Sequence, residues 1–199
     1  MGTRERYHHG QLRDELIDIA EALIVDSGPQ SWSMREAARR LGVSQAAPYR
    51  HFANKDALID AVVLRGYSQL EHHYIEALRT CPADGDRLIV IAMAYFRFAI
   101  DRPELFTLMF SSPRLHATAE AVHSYGVFEG EIVAAQSRGD LPVGSAQEHA
   151  HVLWAAAHGI AELVNREVFS RRRGTKIANI LIASAVHGLS AGERPARYA

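Results

Sequence analysis

Apolar residues recur every three or four positions along most of the chain, with charged residues filling the intervals. Leu12, Leu16, Ile19, Ala20, Leu23 and Ile24 form one such stripe, with Asp14, Glu15, Asp18 and Glu21 on the other side, and they predict an amphipathic helix over 11–26. The same periodicity predicts helices over 34–41, 45–51, 55–79, 86–101, 104–110, 115–138, 146–169 and 176–189. No comparable run alternates with period two, so the expected fold class is all-α. Prolines and glycines stand between the periodic segments, at Gly28-Pro29, Gly42, Pro82, Gly85, Pro103, Pro113, Gly139 to Gly144, Gly174 and Gly188, where helix ends are expected. Two starts carry a capping-box pattern, Ser33-x-x-Glu36 and Ser145-x-x-Glu148, in which each side chain can satisfy an N–H at the other end of the first turn.

Three short helices precede six longer, more apolar ones. This predicts a division near residue 55: a helix-turn-helix domain over 1–54, a larger helical domain over 55–190 joined to it by the long helix 55–79, and a tail over 191–199. Helix 34–41 ends at Gly42, and only Val43 separates that glycine from Ser44, a preferred N-cap for the next helix. With helix 11–26 in front, the pair makes a three-helix unit whose expected core is Leu16, Ile19, Leu23, Ala37, Leu41, Val43, Tyr49 and Phe52. Pro48 falls at the fourth position of the second helix of the pair. Its missing N–H would have met only the carbonyl of the cap residue, so it is expected to open or bend the first turn without breaking the helix.

Charge alters this picture only locally. The 199 residues carry 22 basic and 23 acidic side chains, a near balance that makes no global case for a nucleic-acid or membrane partner. From Arg35 to Lys55, however, Arg35, Arg39, Arg40, Arg50 and Lys55 face Glu36 alone. A positive edge on a short helix pair suits phosphate binding, although Arg39 and Arg40 can equally be a solvated helix face. The arm "TRERYHHG" ahead of the first helix is a further candidate to lie along DNA. The single cysteine, Cys81, excludes an intrachain disulfide and a multi-cysteine zinc site and fits a reducing cytoplasm. The first residues are charged where a secretory signal needs an apolar run, and "LIVIAMAYFRFAI" is short and broken by Arg97. A cytoplasmic protein without membrane span or cofactor is expected.

The segment "MREAARRLGVSQAAPYRHFANKDALI" resembles the DNA-binding part of the TetR family of regulators, whose homeodomain-like helix-turn-helix runs through an aromatic-x-His-Phe-x-x-Lys stretch into a long fourth helix. The resemblance covers residues 11–65. It implies that the second helix of the pair enters the major groove and that a dimer reads a palindromic operator. It places Ser44, Gln45, Ala46 and Ala47 at the groove-facing start of that helix, Tyr49 and His51 on backbone contacts, Arg50 on a base or phosphate, and Lys55 on a phosphate. Gln45 can bond adenine through both ends of its amide, and Arg35, in the first turn of the preceding helix, is another phosphate candidate. His51 can instead be a ring packed against Phe52. The family more often has an apolar residue such as leucine at Pro48 and a hydroxyl residue at Ala47.

Farther on, "RPELFTLMF" and "LWAAAHGIAEL" resemble the subset of TetR-like regulators whose C-terminal domain is named for a Trp, His, Gly signature, here Trp154, His158 and Gly159. An effector pocket is then expected among Tyr95, Phe96, Phe98, Phe106, Met109, Phe110, Phe128, Trp154 and His158, with Tyr95, Phe96, Met109, Phe110, Phe128, Trp154 and His158 as the binding set for a largely apolar small molecule. Aromatic residues at helical spacing are also what a plain core shows. The resemblance further implies homodimerisation through helices 146–169 and 176–189. The expected function is a ligand-responsive repressor, with an effector-independent DNA-binding protein or activator as the alternative. An enzyme using His158 beside Glu162 is a remoter one, since no nucleophile, phosphate loop or metal quartet accompanies that pair. His116, Glu120 and His123 share a helical face at i, i+4, i+7, a spacing that can ligate a metal, but no metal is assigned.

Overall fold

The computed structural model describes residues 9–83, 85–111 and 115–191. Among them lie eight α-helices and no strand: α1 (His9–Ser27), α2 (Met34–Arg40), α3 (Lys55–Arg79), α4 (Arg87–Asp101), α5 (Pro103–Ser111), α6 (Ala119–Arg138), α7 (Ala146–Asn165) and α8 (Arg171–Ser190). A 3-10 turn, Pro48–Arg50, stands between α2 and α3. The all-α class is as the periodicity predicts. Of the arm, residues 3–8 lie outside the described residues, as does the tail from 192 onward.

Side-chain caps fix most helix starts. Ser33 Oγ accepts from Glu36 N at the head of α2, and Ser145 Oγ from Glu148 N at the head of α7. Asn54 Oδ1 accepts from Ala57 N to start α3, and Asp86 Oδ1 takes the Leu88 and Ile89 N–H groups to start α4. Each satisfies a donor that a first turn leaves open. The Glu36 carboxylate turns away from the box toward Arg39 and Arg40, so α2 begins on a serine cap plus an ion-paired glutamate.

The described residues form two compact units: those up to Tyr67 with Glu104–Thr118, and those of Ser68–Pro103 with the rest from Ala119. The change falls inside α3, and α5 belongs with the first unit, whereas the sequence suggests one boundary at 54/55. In the first unit Leu16, Ala20, Leu23, Ile24, Ala37, Ala38, Leu58 and Val62 close the core, joined by Ile17, Trp32, Met34 and Pro48. Tyr49 departs from the expected core: it is 52% exposed, and its neighbour Pro48 takes the inward position. Arg65 ties α3 to α1 by pairing with Asp18 and, at 2.6 Å, with Glu21. Gly66 lets α5 come close to α3, since a Cβ there would stand 2.8 Å from Met109 Sδ.

The second unit is built around α4, which packs on α6, α7 and α8 and buries Ile91, Tyr95, Phe96 and Phe98. Tyr74, on the second half of α3, packs edge-on to Phe128 at 6.0 Å between ring centres. Helices α7 and α8 approach so closely that a Cβ on Gly174 would stand 2.1 Å from Val164 Cγ2. Gly174 therefore lies inside α8, four residues into a helix expected to begin at 176, and α7 ends at Asn165 rather than near 169. Helix α6 likewise starts at Ala119 rather than 115, which leaves His116 ahead of the helix. Cys81, just past α3 in this unit, is half-buried, with Sγ 3.5 Å from the Pro82 carbonyl oxygen.

Candidate nucleic-acid interface and effector residues

Helix α2 stops by a Schellman motif: Gly42, at φ +67°, donates to Arg39 O, and Val43 donates to Ala38 O. The chain is thereby turned into the segment expected to be a helix over 45–51, and here the structure corrects the expectation. Residues 44–47 form a turn and Pro48–Arg50 one 3-10 turn. The cause is the missing N–H of Pro48. The Ser44 carbonyl is met by Ala47 N at 2.9 Å, one residue earlier than an α-helix would do it, and Arg50 N then takes Ala47 O at 3.2 Å. Pro48 is buried, Phe52 is 5% exposed, and these two anchors leave Ser44, Gln45, Ala46, Tyr49 and Arg50 exposed along the outside. Ala47 and His51 are half-buried.

The basic residues divide into two sorts. Arg39 pairs with Glu36 at 2.6 Å, and Arg40 pairs with Asp26 at 3.0 Å and Glu36 at 3.4 Å. Hydrogen bonding from Arg39 holds the Glu36 carboxyl below the usual carboxylate range. Those two arginines thus spend charge within the unit. Arg35 and Arg50 stand exposed, and Lys55, half-buried, donates to the Trp32 carbonyl at 2.7 Å with its ammonium 4.7 Å from the centre of the Trp32 ring. Trp32 was not singled out from sequence; its signal is a large aromatic residue in the polar loop "GPQSWS" directly before an N-cap.

The proposed effector residues are distributed over both units. Tyr95, Phe96, Phe128, Trp154 and His158 belong to the second; Met109 and Phe110 belong to the first, where Tyr67 Oη donates to the Met109 carbonyl at 3.1 Å and packs edge-on to Phe110. Burial pushes the Tyr67 phenol up to about 12. Tyr95, Phe96, Met109 and Phe128 are fully buried, and Trp154, His158 and Phe110 half-buried. Tyr95 Oη and His158 Nδ1 are 2.7 Å apart, a hydrogen bond whose donor depends on the imidazole tautomer, and the Trp154 ring lies 5.5 Å from that of His158. Burial lowers the His158 pKa, opposed by Glu162. Glu162 itself accepts from Arg166 Nε at 2.9 Å. Two grooves of about 560 and 580 Å³ open on the second unit, one lined by Gln69, His72, His73, Glu76, Phe98 and Arg102, the other by Arg87, Arg138 and Asp140 among others; neither is lined by any of the seven effector candidates. Among the described residues no group of three or more His, Cys, Asp or Glu side chains is placed to hold a metal, and no helix is long and apolar enough to cross a membrane.

An all-helical fold in which α2 ends at the Gly42 turn and leads into the exposed segment with its 3-10 turn at Pro48–Arg50 is that of a helix-turn-helix protein whose second helix is shortened. A family model described as bacterial regulatory proteins, tetR family, matches residues 16–62, and a second, the tetracyclin repressor-like C-terminal domain, matches residues 88–178, so that the two take in more than half of the chain. The chain belongs to the TetR family of bacterial regulatory proteins. It is 28% identical over 140 residues to an HTH-type transcriptional regulator of Mycobacterium tuberculosis, covering 66% of this chain and 60% of that one. It is 32% identical over 107 residues to the HTH-type transcriptional activator FasR of Mycolicibacterium smegmatis, 54% of this chain and 49% of that one. A solved structure of a protein of unknown function from Rhodococcus sp. RHA1 superposes with a TM-score of 0.82 at 30% identity, over 94% of this chain and all of that one. The chain thus spans about 60% of the length of the first of these relatives and about half of the second, and both are described as transcription regulators rather than enzymes.

Proposed function

We propose that this protein is a dimeric, ligand-responsive transcriptional repressor acting on double-stranded DNA in the cytoplasm. The observation that carries the DNA-binding part is the exposure of Ser44, Gln45, Ala46, Tyr49 and Arg50, held outward by the buried Pro48 and Phe52. Alanines at 46 and 47 let the backbone come close to the groove. Gln45 is the side chain able to read adenine, Arg50 reaches a base or phosphate, and Tyr49, His51, Arg35 and Lys55 contact the backbone.

The dimer reading rests on α7 and α8. Val152, Ala155, Gly159 and Leu163 form one exposed stripe on α7, and Ile180, Leu181, Ser184 and Gly188 another on α8. Contiguous apolar and small residues on neighbouring helices suit a four-helix interface with a second copy, whereas Leu153 and Ile160 of α7 are buried within the chain. Two copies would hold their reading turns about 34–36 Å apart, one turn of B-DNA. The effector would meet Trp154 and His158, the two signature side chains by which the chain resembles the Trp-His-Gly subset, together with Tyr95. An effector that prefers the wrong spacing by about 3 kcal/mol weakens operator binding on the order of a hundredfold.

Selecting bound fragments from a genomic library tests this reading: a palindromic site is expected, and absence of any enriched sequence sinks it. Gln45→Ala is expected to relax discrimination at one base pair of each half-site. The complete burial of Tyr95, Phe96, Met109 and Phe128 favours one rival, an effector-independent DNA-binding protein with a solid core. A thermal-shift screen in which no small molecule stabilises the protein, with operator binding unaffected by any of them, would decide for that rival.

A further inference from the structure

Lysine is a costly residue with which to meet a phosphate, because its four-carbon stem must be ordered on binding. In the first unit that order is already present. The Lys55 ammonium donates to the Trp32 carbonyl and lies over the indole face, while the Trp32 side chain is 6% exposed and so is itself fixed by packing. The indole is retained at a cost: its Nε1 is buried and has no hydrogen-bond partner among the described residues. A leucine or phenylalanine would fill an apolar loop position without burying that N–H. What tryptophan adds over either is the strongest aromatic face for a cation. An ammonium has three donors, and the carbonyl takes one.

We propose that Trp32 is a positioning residue of the DNA-binding unit: its ring and carbonyl hold the Lys55 ammonium at the start of α3, ready to meet a DNA phosphate. The proposal rests on the DNA-binding reading above. Trp32 touches no DNA in it and acts only through Lys55.

The test is a double-mutant cycle in the full chain, with a fluorescein-labelled random-sequence duplex as probe and anisotropy measured over a range of salt. Lys55→Ala is expected to weaken binding and flatten the salt dependence by about one unit of slope. Trp32→Leu is expected to weaken binding about threefold to tenfold in the presence of Lys55, Trp32→Phe by less, and Trp32→Leu to have no further effect once Lys55 is alanine. A merely structural tryptophan would weaken both backgrounds alike, and that result overturns the proposal. So does a Trp32→Leu protein that binds as wild type does while Lys55→Ala is weakened, an outcome that leaves the DNA-binding reading standing. A Lys55→Ala protein with unchanged affinity and slope removes the phosphate contact and Trp32's role with it. Should Trp32→Leu fail to melt cooperatively, Trp32→Phe in the two backgrounds gives the same comparison.

Discussion

Helices α2 and α7 end by the same hydrogen bonds and differ in the residue that makes the turn. At α2 the residue after the cap is Gly42, with φ +67°; at α7 it is Glu167, with φ 59°. Val43 donates to Ala38 O and Val168 to Leu163 O, each at the six-residue spacing of the Schellman motif, while Gly42 and Glu167 donate to Arg39 O and Val164 O. The left-handed conformation is free of strain for glycine and costs a residue with a Cβ about 1–2 kcal/mol. Hydrogen bonding and packing of the α7–α8 connection therefore hold Glu167 where its own backbone preference would not.

The sharpest way to break the comparison is Gly174→Ala, which puts a methyl group where Val164 Cγ2 already stands. A β-branched side chain in a packed helix has little room to turn, so a loss of about 1–3 kcal/mol or more is expected by chemical denaturation. Val164→Ala in the same chain should recover part of it; if the two losses simply add, the close approach is not the cause. Gly42→Ala comes next. Nothing lies within 4 Å of the added Cβ, so its cost is conformational alone, about 1–2 kcal/mol. Glu167→Gly should run the other way and stabilise the chain by about 1 kcal/mol, read as a raised melting temperature; a lowered one would mean that the glutamate side chain is needed. The smallest effect expected is from pH. His73 and His158, both in the second unit, are pushed below the ordinary imidazole value of 6.5, chiefly by burial. The unfolded chain then binds protons more readily than the folded one. Their contribution is complete above 6.5 and is lost as pH falls through 6.5 toward the lower folded values, so melting should fall between about pH 7.5 and pH 5.5, and less steeply in His158→Gln.

The two helix ends also show what was legible in the sequence. Gly42 announces its turn because glycine is the usual residue there, and the predicted bounds of α2 agree with the structure within one residue. Glu167 carries no such mark, so the apolar period predicts a helix running on to 169. The sequence pattern places Gly174 at a helix end, although what it supplies is a missing side chain for the α7–α8 approach, a property of the partner helix that single-helix periodicity does not contain. At the candidate site the exposure of Ser44, Gln45, Ala46 and Arg50 follows from local chemistry. Trp32 does not, because its partner Lys55 is 23 residues away. The sequence predicts a bend in a helix at Pro48; its missing N–H turns the segment into a 3-10 turn instead, and its burial exchanges the places expected for it and Tyr49.

Cys81 has a practical consequence. It is half-buried and is the only thiol of the chain, so a spin label attached there marks the second unit without any other substitution. Two copies in one assembly would carry one label pair. The distance between those labels, measured with and without operator and with each trial effector, would reduce the spacing mechanism to a single number obtained on the otherwise unaltered sequence.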